Sequence, residues 1–359
     1  MSKDLADICR TNGVPVGDAS DVADAVVRCA TDETICGRAL GVGAVKTIDM
    51  KDDLEGLNAG VVMKDYLEGE AKGFMLLFGL FAGTVGVRRL LKMFEKYNIK
   101  TTWFIPGHSL ETFPEECAMI RDAGHEIGLH GYSHENPVKM TIEQQHAILD
   151  KTYKQLTEFC GKPPRGSVAP WWESSKEGSE LMLKYGVEYD HSFSHHDCLP
   201  YYLRTGDKWT PIDYSKHPSH WMKPLEPGLE TGLVEIPSNW YLDDLPPMMF
   251  IKKAPNSHGW VNPRDVEDLW RDHFDYFYRE YDDFCFPVTI HPDVSGHPHV
   301  IFMLERLIEY ISSKEGVQWV KMEDICDDFK SRNQPAKGAL LPAEHRAILQ
   351  DPDIQLQKS

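Results

Sequence analysis

From residue 85 onward, short apolar runs alternate with amphipathic helical stretches, and this alternation narrows the fold further than any other feature. Chains of that pattern build parallel β/α units, which lie in an open sheet or close into a barrel. A helix is predicted over 87–97, with basic residues on its polar face, then a strand over 101–105 ended by Pro106-Gly107. Pro114 suits the first turn of the next helix and Gly124 its end, before a strand over 126–129. Thr141-Ile142-Glu143-Gln144 is a capping box opening a helix to 159, with Gly161 just past it. Strands are predicted over 167–169, 187–189, 233–236, 286–290 and 317–320. Between them fall helices ending at Tyr185, running from Asn262-Pro263 to 281, and over 300–312 and 322–330. Residues 199–227, rich in Trp, Tyr, Pro and His, read as a long loop or a hairpin excursion. Before Gly79 the character differs: a helix over 21–32, a strand over 37–42, and an acidic, weakly periodic stretch over 51–72.

The segment His125-Glu126-Ile127-Gly128-Leu129-His130-Gly131-Tyr132-Ser133-His134 carries the clearest chemistry. A short apolar strand runs into two histidines joined by a tight Gly-Tyr-Ser turn. Imidazole suits zinc, and two ligands on one turn are easily aimed at a single ion. An isolated His-x-x-x-His is more often a pair of surface loop histidines. The second strand, over 286–290, shifts that balance, because it too runs straight into a histidine, His291, followed by Pro292-Asp293. Strands delivering histidines at their C-terminal ends are what an α/β barrel active site requires, which favours a barrel over an open sheet.

A chain of 359 residues has room for a domain of about 250 residues and an appendage. The net charge of −18 argues against nucleic acid and anionic membrane surfaces as partners. The eight cysteines are irregularly spaced and form no Cys-x-x-Cys pair. The first residues lack the apolar core of a secretory leader, and the longest apolar run, 74–82, is far short of a membrane span. A cytoplasmic protein with reduced thiols is expected. Cys198, near His195 and His196, is expected to be an inert thiol.

Six ordered segments resemble the polysaccharide deacetylase (NodB homology) family, in its peptidoglycan-deacetylase-like and cyclic-imide-hydrolase-like branch. They are Gly79-Leu80-Phe81-Ala82-Gly83, Trp103-Phe104-Ile105-Pro106-Gly107-His108, the histidine segment, Val168-Ala169-Pro170-Trp171-Trp172-Glu173, Asn239-Trp240-Tyr241-Leu242-Asp243-Asp244, and Thr289-Ile290-His291-Pro292-Asp293. The resemblance implies a distorted (β/α)7 barrel and a divalent metal, zinc by preference, held by one Asp and two His. It places His130 and His134 as metal ligands. Pro170 and Trp171, with Trp172 and Trp240, would form a substrate groove, and His291 would be the general acid, oriented by Asp243 or Asp244. Val168 stands where many relatives carry an Arg, and Glu173 is a further charge beside it.

The family's first motif, a strand ending in a base Asp and a ligand Asp, has no good match. Thr47-Ile48-Asp49-Met50-Lys51-Asp52-Asp53 comes nearest, but Lys51 falls where a ligand belongs. Residues 16–70 resemble instead the C-terminal end of a short-chain dehydrogenase, without its glycine-rich loop or Tyr-x-x-x-Lys pair, so no nicotinamide cofactor is expected. Two readings stand: the barrel lacks its usual first strand, through a natural fusion or a gene-model artefact, or Asp49 or Asp52 is a divergent first motif. The expected architecture is a short α/β N-terminal appendage over 1–78, a NodB-type domain over 79–332 and a tail over 333–359. The expected activity is metal-dependent hydrolysis of a non-peptide carbon–nitrogen bond. The substrate would be an N-acetylated amino sugar or a small cyclic imide or amide, with homo-oligomerisation left open. The alternative is a non-catalytic barrel remnant that binds a ligand or partner.

Overall fold

In the computed structural model, which describes residues 79–249, 259 and 261–344 together with the backbone of 40–42 and 47–49, the chain divides into two units, Met1–Leu80 and Phe81–Ser359. In the first, β1 (Leu40–Val42) pairs antiparallel with β2 (Thr47–Asp49), Leu40 opposite Asp49. The helix expected over 21–32, the acidic stretch over 51–72, and the side chains of Asp49 and Asp52 lie outside the described residues.

The second unit opens with a π-helix, Phe81–Gly86, that runs into α1 (Val87–Lys96). Val87, Leu90, Leu91 and Phe94 repeat at helical spacing and are buried, while Arg88, Arg89, Lys92 and Glu95 face outward. There follow β3 (Thr102–Ile105), α2 (Gly107–Thr112), α3 (Pro114–Asp122) and β4 (Glu126–Leu129). Next come α4 (Ile142–Cys160), β5 (Gly166–Ser167), α5 (Gly178–Lys184) and β6 (Tyr189–Asp190). The capping box forms as the sequence marks it: the Gln144 N–H donates to Thr141 Oγ1 at 3.3 Å and the Thr141 N–H to Gln144 Oε1 at 3.0 Å. The excursion is a hairpin whose arms are β7 (Tyr201–Thr205) and β8 (Leu229–Glu235). The chain finishes with α6 (Leu245–Met248), α7 (Pro263–Glu280), α8 (Pro292–Ser295), α9 (Pro298–Ser312) and α10 (Met322–Arg332).

The sheet has the order β3-β4-β5-β6-β8-β7, parallel throughout except for β7. One apolar cluster joins α1, α3 and α4 to β4 through Leu91, Ile120, Ile127 and Leu156. Another packs α1 against α7 and α9 through Phe94, Trp270, Phe274 and Met303. Helices cover the sheet because parallel ladders need apolar cover on both faces. No described helix is long and apolar enough to cross a membrane.

Two expected strands need correction. Residues 286–290 form no regular strand: Pro287 has no N–H to donate, and the segment is held by one parallel bridge, Thr289 to Asp243, and by the Cys285 N–H on the Cys198 carbonyl at 2.9 Å. Residues 317–320 are not a strand either; no ladder pairs them with a described strand, and Trp319 and Val320 stay exposed. Six strands, not seven, therefore make the described sheet, and no ladder among the described residues closes it into a barrel. Within the expected tail, Leu340 lies against β8. On β8, the short β6 pairs only with Val234 and Glu235. The free half of that β8 edge is taken by Leu340, whose carbonyl accepts from the Gly232 N–H at 2.7 Å.

Candidate active site

The parallel register brings the loops after β4, β5, β6 and β8 to one edge of the sheet, the edge where open α/β sheets place their ligands. His130 follows β4 directly. Its Nδ1 sits 2.8 Å from the Val168 carbonyl, so the ring donates there and leaves Nε2 as a free acceptor. Burial, the neighbouring His134 and the charge of His291 push its pKa down to about 3, so the ring is neutral. The His134 ring lies 4.9 Å from it, centroid to centroid, and is likewise held below the ordinary value by burial and by His291. The two histidines thus share one side, as the sequence spacing predicts. Glu135 shapes the turn between them: its carboxylate accepts from the Tyr132 N–H at 2.7 Å and the Ser133 N–H at 2.5 Å. Among the described residues no third His, Cys, Asp or Glu completes a cluster with this pair.

His291 lies at the N-cap of α8 rather than at a strand end. Asp244, fully buried, accepts from its Nδ1 at 2.7 Å, from its N–H at 2.9 Å and from Ser295 Oγ at 2.5 Å. Burial alone would lower the His291 pKa. The Asp244 carboxylate, with Asp243 and Asp293, outweighs that and raises it to about 9. Asp243 stands further off, at 3.6 Å, and spends Oδ1 on the Leu245 N–H at 2.8 Å. Its own carboxyl is pushed up to about 6 by burial, partly offset by His291. Of the two carboxylates left open by the sequence, Asp244 is therefore the one that orients the imidazole.

The aromatic residues gather at the same place. Trp171 lies 5.3 Å from the His134 ring and its indole N–H reaches the His134 carbonyl at 3.3 Å. Trp172 meets Trp240 edge-on at 4.7 Å. Pro170 is buried, whereas Trp171 and Trp240 are about half exposed. His134, Trp171 and Trp172 all have positive φ, at 60°, 66° and 50°, and such strain persists where surrounding structure holds it for function. Glu173 is exposed and accepts from Asn136 Nδ2 at 2.5 Å, which ties the two loops together. Cys198 is buried, and burial pushes its thiol up to about 12, as an inert cysteine should be.

Sequence reasoning overlooked His191, Asp190, Ser192 and Glu235. His191 follows β6 as His130 follows β4, and that strand-then-histidine pattern could have found it. It is buried, with Nδ1 donating to the Ile236 carbonyl at 2.6 Å and its ring 5.7 Å from Trp172.

A family model for polysaccharide deacetylases matches residues 75–190. The chain is 58% identical over 259 residues to a peptidoglycan deacetylase of Helicobacter pylori, covering 72% of this chain and 88% of that one. It is 41% identical over 260 residues to a peptidoglycan deacetylase-like protein of Gibberella zeae, covering 70% and 77%. Among solved structures, one from Mycobacterium smegmatis assigned to the polysaccharide deacetylases superposes with a TM-score of 0.61 at 26% identity, covering 76% of this chain and 86% of that one.

Proposed function

This chain belongs to the polysaccharide deacetylase family, hydrolases of amide carbon–nitrogen bonds, and we propose that it removes N-acetyl groups from the amino sugars of a peptidoglycan-type glycan with a divalent metal, zinc, at His130 and His134. The donor set fits the ion: both rings are neutral, and the Val168 carbonyl fixes His130 with Nε2 free. Zinc held there would supply polarisation of the amide carbonyl and activation of water. The remaining work falls to protein groups. His291, kept protonated by Asp244, donates a proton to the departing amine nitrogen. Trp171, Trp172 and Trp240 offer flat faces for sugar rings, with Pro170 opening the turn that carries the first two. The family's base and third ligand would come from the first motif, and the side chains of Asp49 and Asp52 lie outside the described residues.

The observation that carries this reading is the pair of histidine rings 4.9 Å apart on one turn, with His130 Nδ1 engaged by the Val168 carbonyl at 2.8 Å and its Nε2 free. The test is acetate release from N-acetylated peptidoglycan by the full chain, with zinc content measured alongside. Zinc-dependent release that His130→Ala abolishes together with bound zinc is the expected result. Stoichiometric ligand binding without turnover of any amide or imide would establish the non-catalytic barrel instead.

A further inference from the structure

Two carboxylates lie where a charge has no obvious business. Asp190 ends β6 and Glu235 ends β8, in register with each other, and they are 5% and 0% exposed. Burial pushes Asp190 up to about 7, and burial with Asp190 beside it raises Glu235 strongly. Glu235 Oε2 finds no hydrogen-bond partner among the described residues. Such a pair is costly to bury, and well-packed apolar residues would serve stability as well or better.

The use of the pair is visible in Glu235 Oε1. It accepts from the Ser192 N–H and the Phe193 N–H, each at 2.8 Å, and so fixes the loop after β6. Ser192 Oγ then accepts from the Ala169 N–H at 2.9 Å. Ala169 follows Val168, whose carbonyl holds His130 Nδ1 at 2.8 Å, and precedes the strained Pro170–Trp172 turn. The same loop is stitched to both flanking strands: the His191 N–H donates to the Ser167 carbonyl at 3.0 Å, and His191 Nδ1 to the Ile236 carbonyl at 2.6 Å.

We propose that Glu235 is a positioning residue for the histidine pair: through the 192–193 backbone, Ser192 Oγ and the Ala169 N–H, it sets the Val168 carbonyl that orients His130 and the turn that carries Trp171 and Trp172. The inference rests on the reading of His130 as a metal ligand. What Glu235 contributes is an acceptor of fixed direction, not a charge. A neutral isostere therefore preserves its role and an apolar side chain of similar volume destroys it.

The test compares Glu235→Gln, Glu235→Leu and Ser192→Ala in the full chain, using two readouts. The first is zinc affinity by competition with a chromophoric chelator. The second is the His130 Nδ1–H tautomer in the metal-free, 15N-histidine-labelled protein. E235Q should bind zinc like the parent chain. E235L should bind about 10- to 100-fold more weakly, the usual effect of losing an outer partner of a ligand, and should lose the single His130 tautomer. S192A should move both readouts in the same direction, and it decides the matter alone if E235L fails to fold. Folded S192A or E235L with parent-like tautomer and parent-like zinc binding overturns the proposal. A parent chain that binds no zinc refutes the metal-site reading alone; the tautomer measurement still decides the role of Glu235.

Discussion

Replacing Asp244 by Asn removes the charge under His291 while keeping the side chain's shape. In the folded protein the His291 pKa rises from 6.5 to about 9. At about 1.4 kcal/mol per pH unit, that is about 3 kcal/mol of preference for the charged ring. A group raised in the folded state contributes stability that is fully present below its unfolded value and lost as pH rises through its folded value. Asp244→Asn should therefore cost about 3 kcal/mol at pH 6, and the deficit should shrink as pH rises from 6.5 to about 9 and be nearly gone above it. Because burial opposes the charge and Asp244 is the chief group sustaining it, the variant's His291 should titrate at or below its ordinary 6.5. Two assays report this: an NMR titration of His291 in the metal-free protein, and urea unfolding of both proteins between pH 6 and 10. Acetate release by the variant at pH 8 should fall by about 10²- to 10⁴-fold, the range of a lost general acid. A variant whose His291 still titrates near 9 would show that Asp243, at 3.6 Å, holds the proton instead, and the assignment of Asp244 would fail.

Gly86 closes the π-helix against α8, and a Cβ there would stand 2.2 Å from the Pro292 carbonyl oxygen. Gly86→Ala should destabilise the protein by about 1 to 3 kcal/mol, as overpacking does, and lower turnover more than substrate binding because α8 carries His291; a parent-like melting temperature would contradict this. Trp240, about half exposed and edge-on to Trp172, should act on binding. Trp240→Ala should raise KM for the glycan with kcat little changed, and a pure kcat effect would place it elsewhere.

Much of the helical framework was written locally. Thr141 and Gln144 close a capping box, Asn262 caps α7 with Pro263 behind it, and Gly161 ends α4 at φ 68°. Those signals act within one turn, so the sequence alone carries them. The His130–His134 pair was legible for the same reason, since four residues and one turn fix their proximity. The strands over 286–290 and 317–320 were misread because an apolar run becomes a strand only when a neighbour offers it hydrogen bonds. Likewise nothing local announces that Leu340 fills the β8 edge left by a short β6.

Chain order alone thus determined the β/α alternation, the caps, the histidine turn and the family likeness, all properties of residues near one another or of motifs in sequence. Only the tertiary structure chose Asp244 over Asp243, because the choice depends on a backbone crossing that brings residue 291 onto residue 244. It alone exposed the Glu235–Ser192–Ala169–Val168 path to His130, which joins four strand ends distant in sequence. The physical reason is common to both. Hydrogen-bond direction and desolvation decide what a buried carboxylate does, and neither exists until the sheet has put the strand ends side by side.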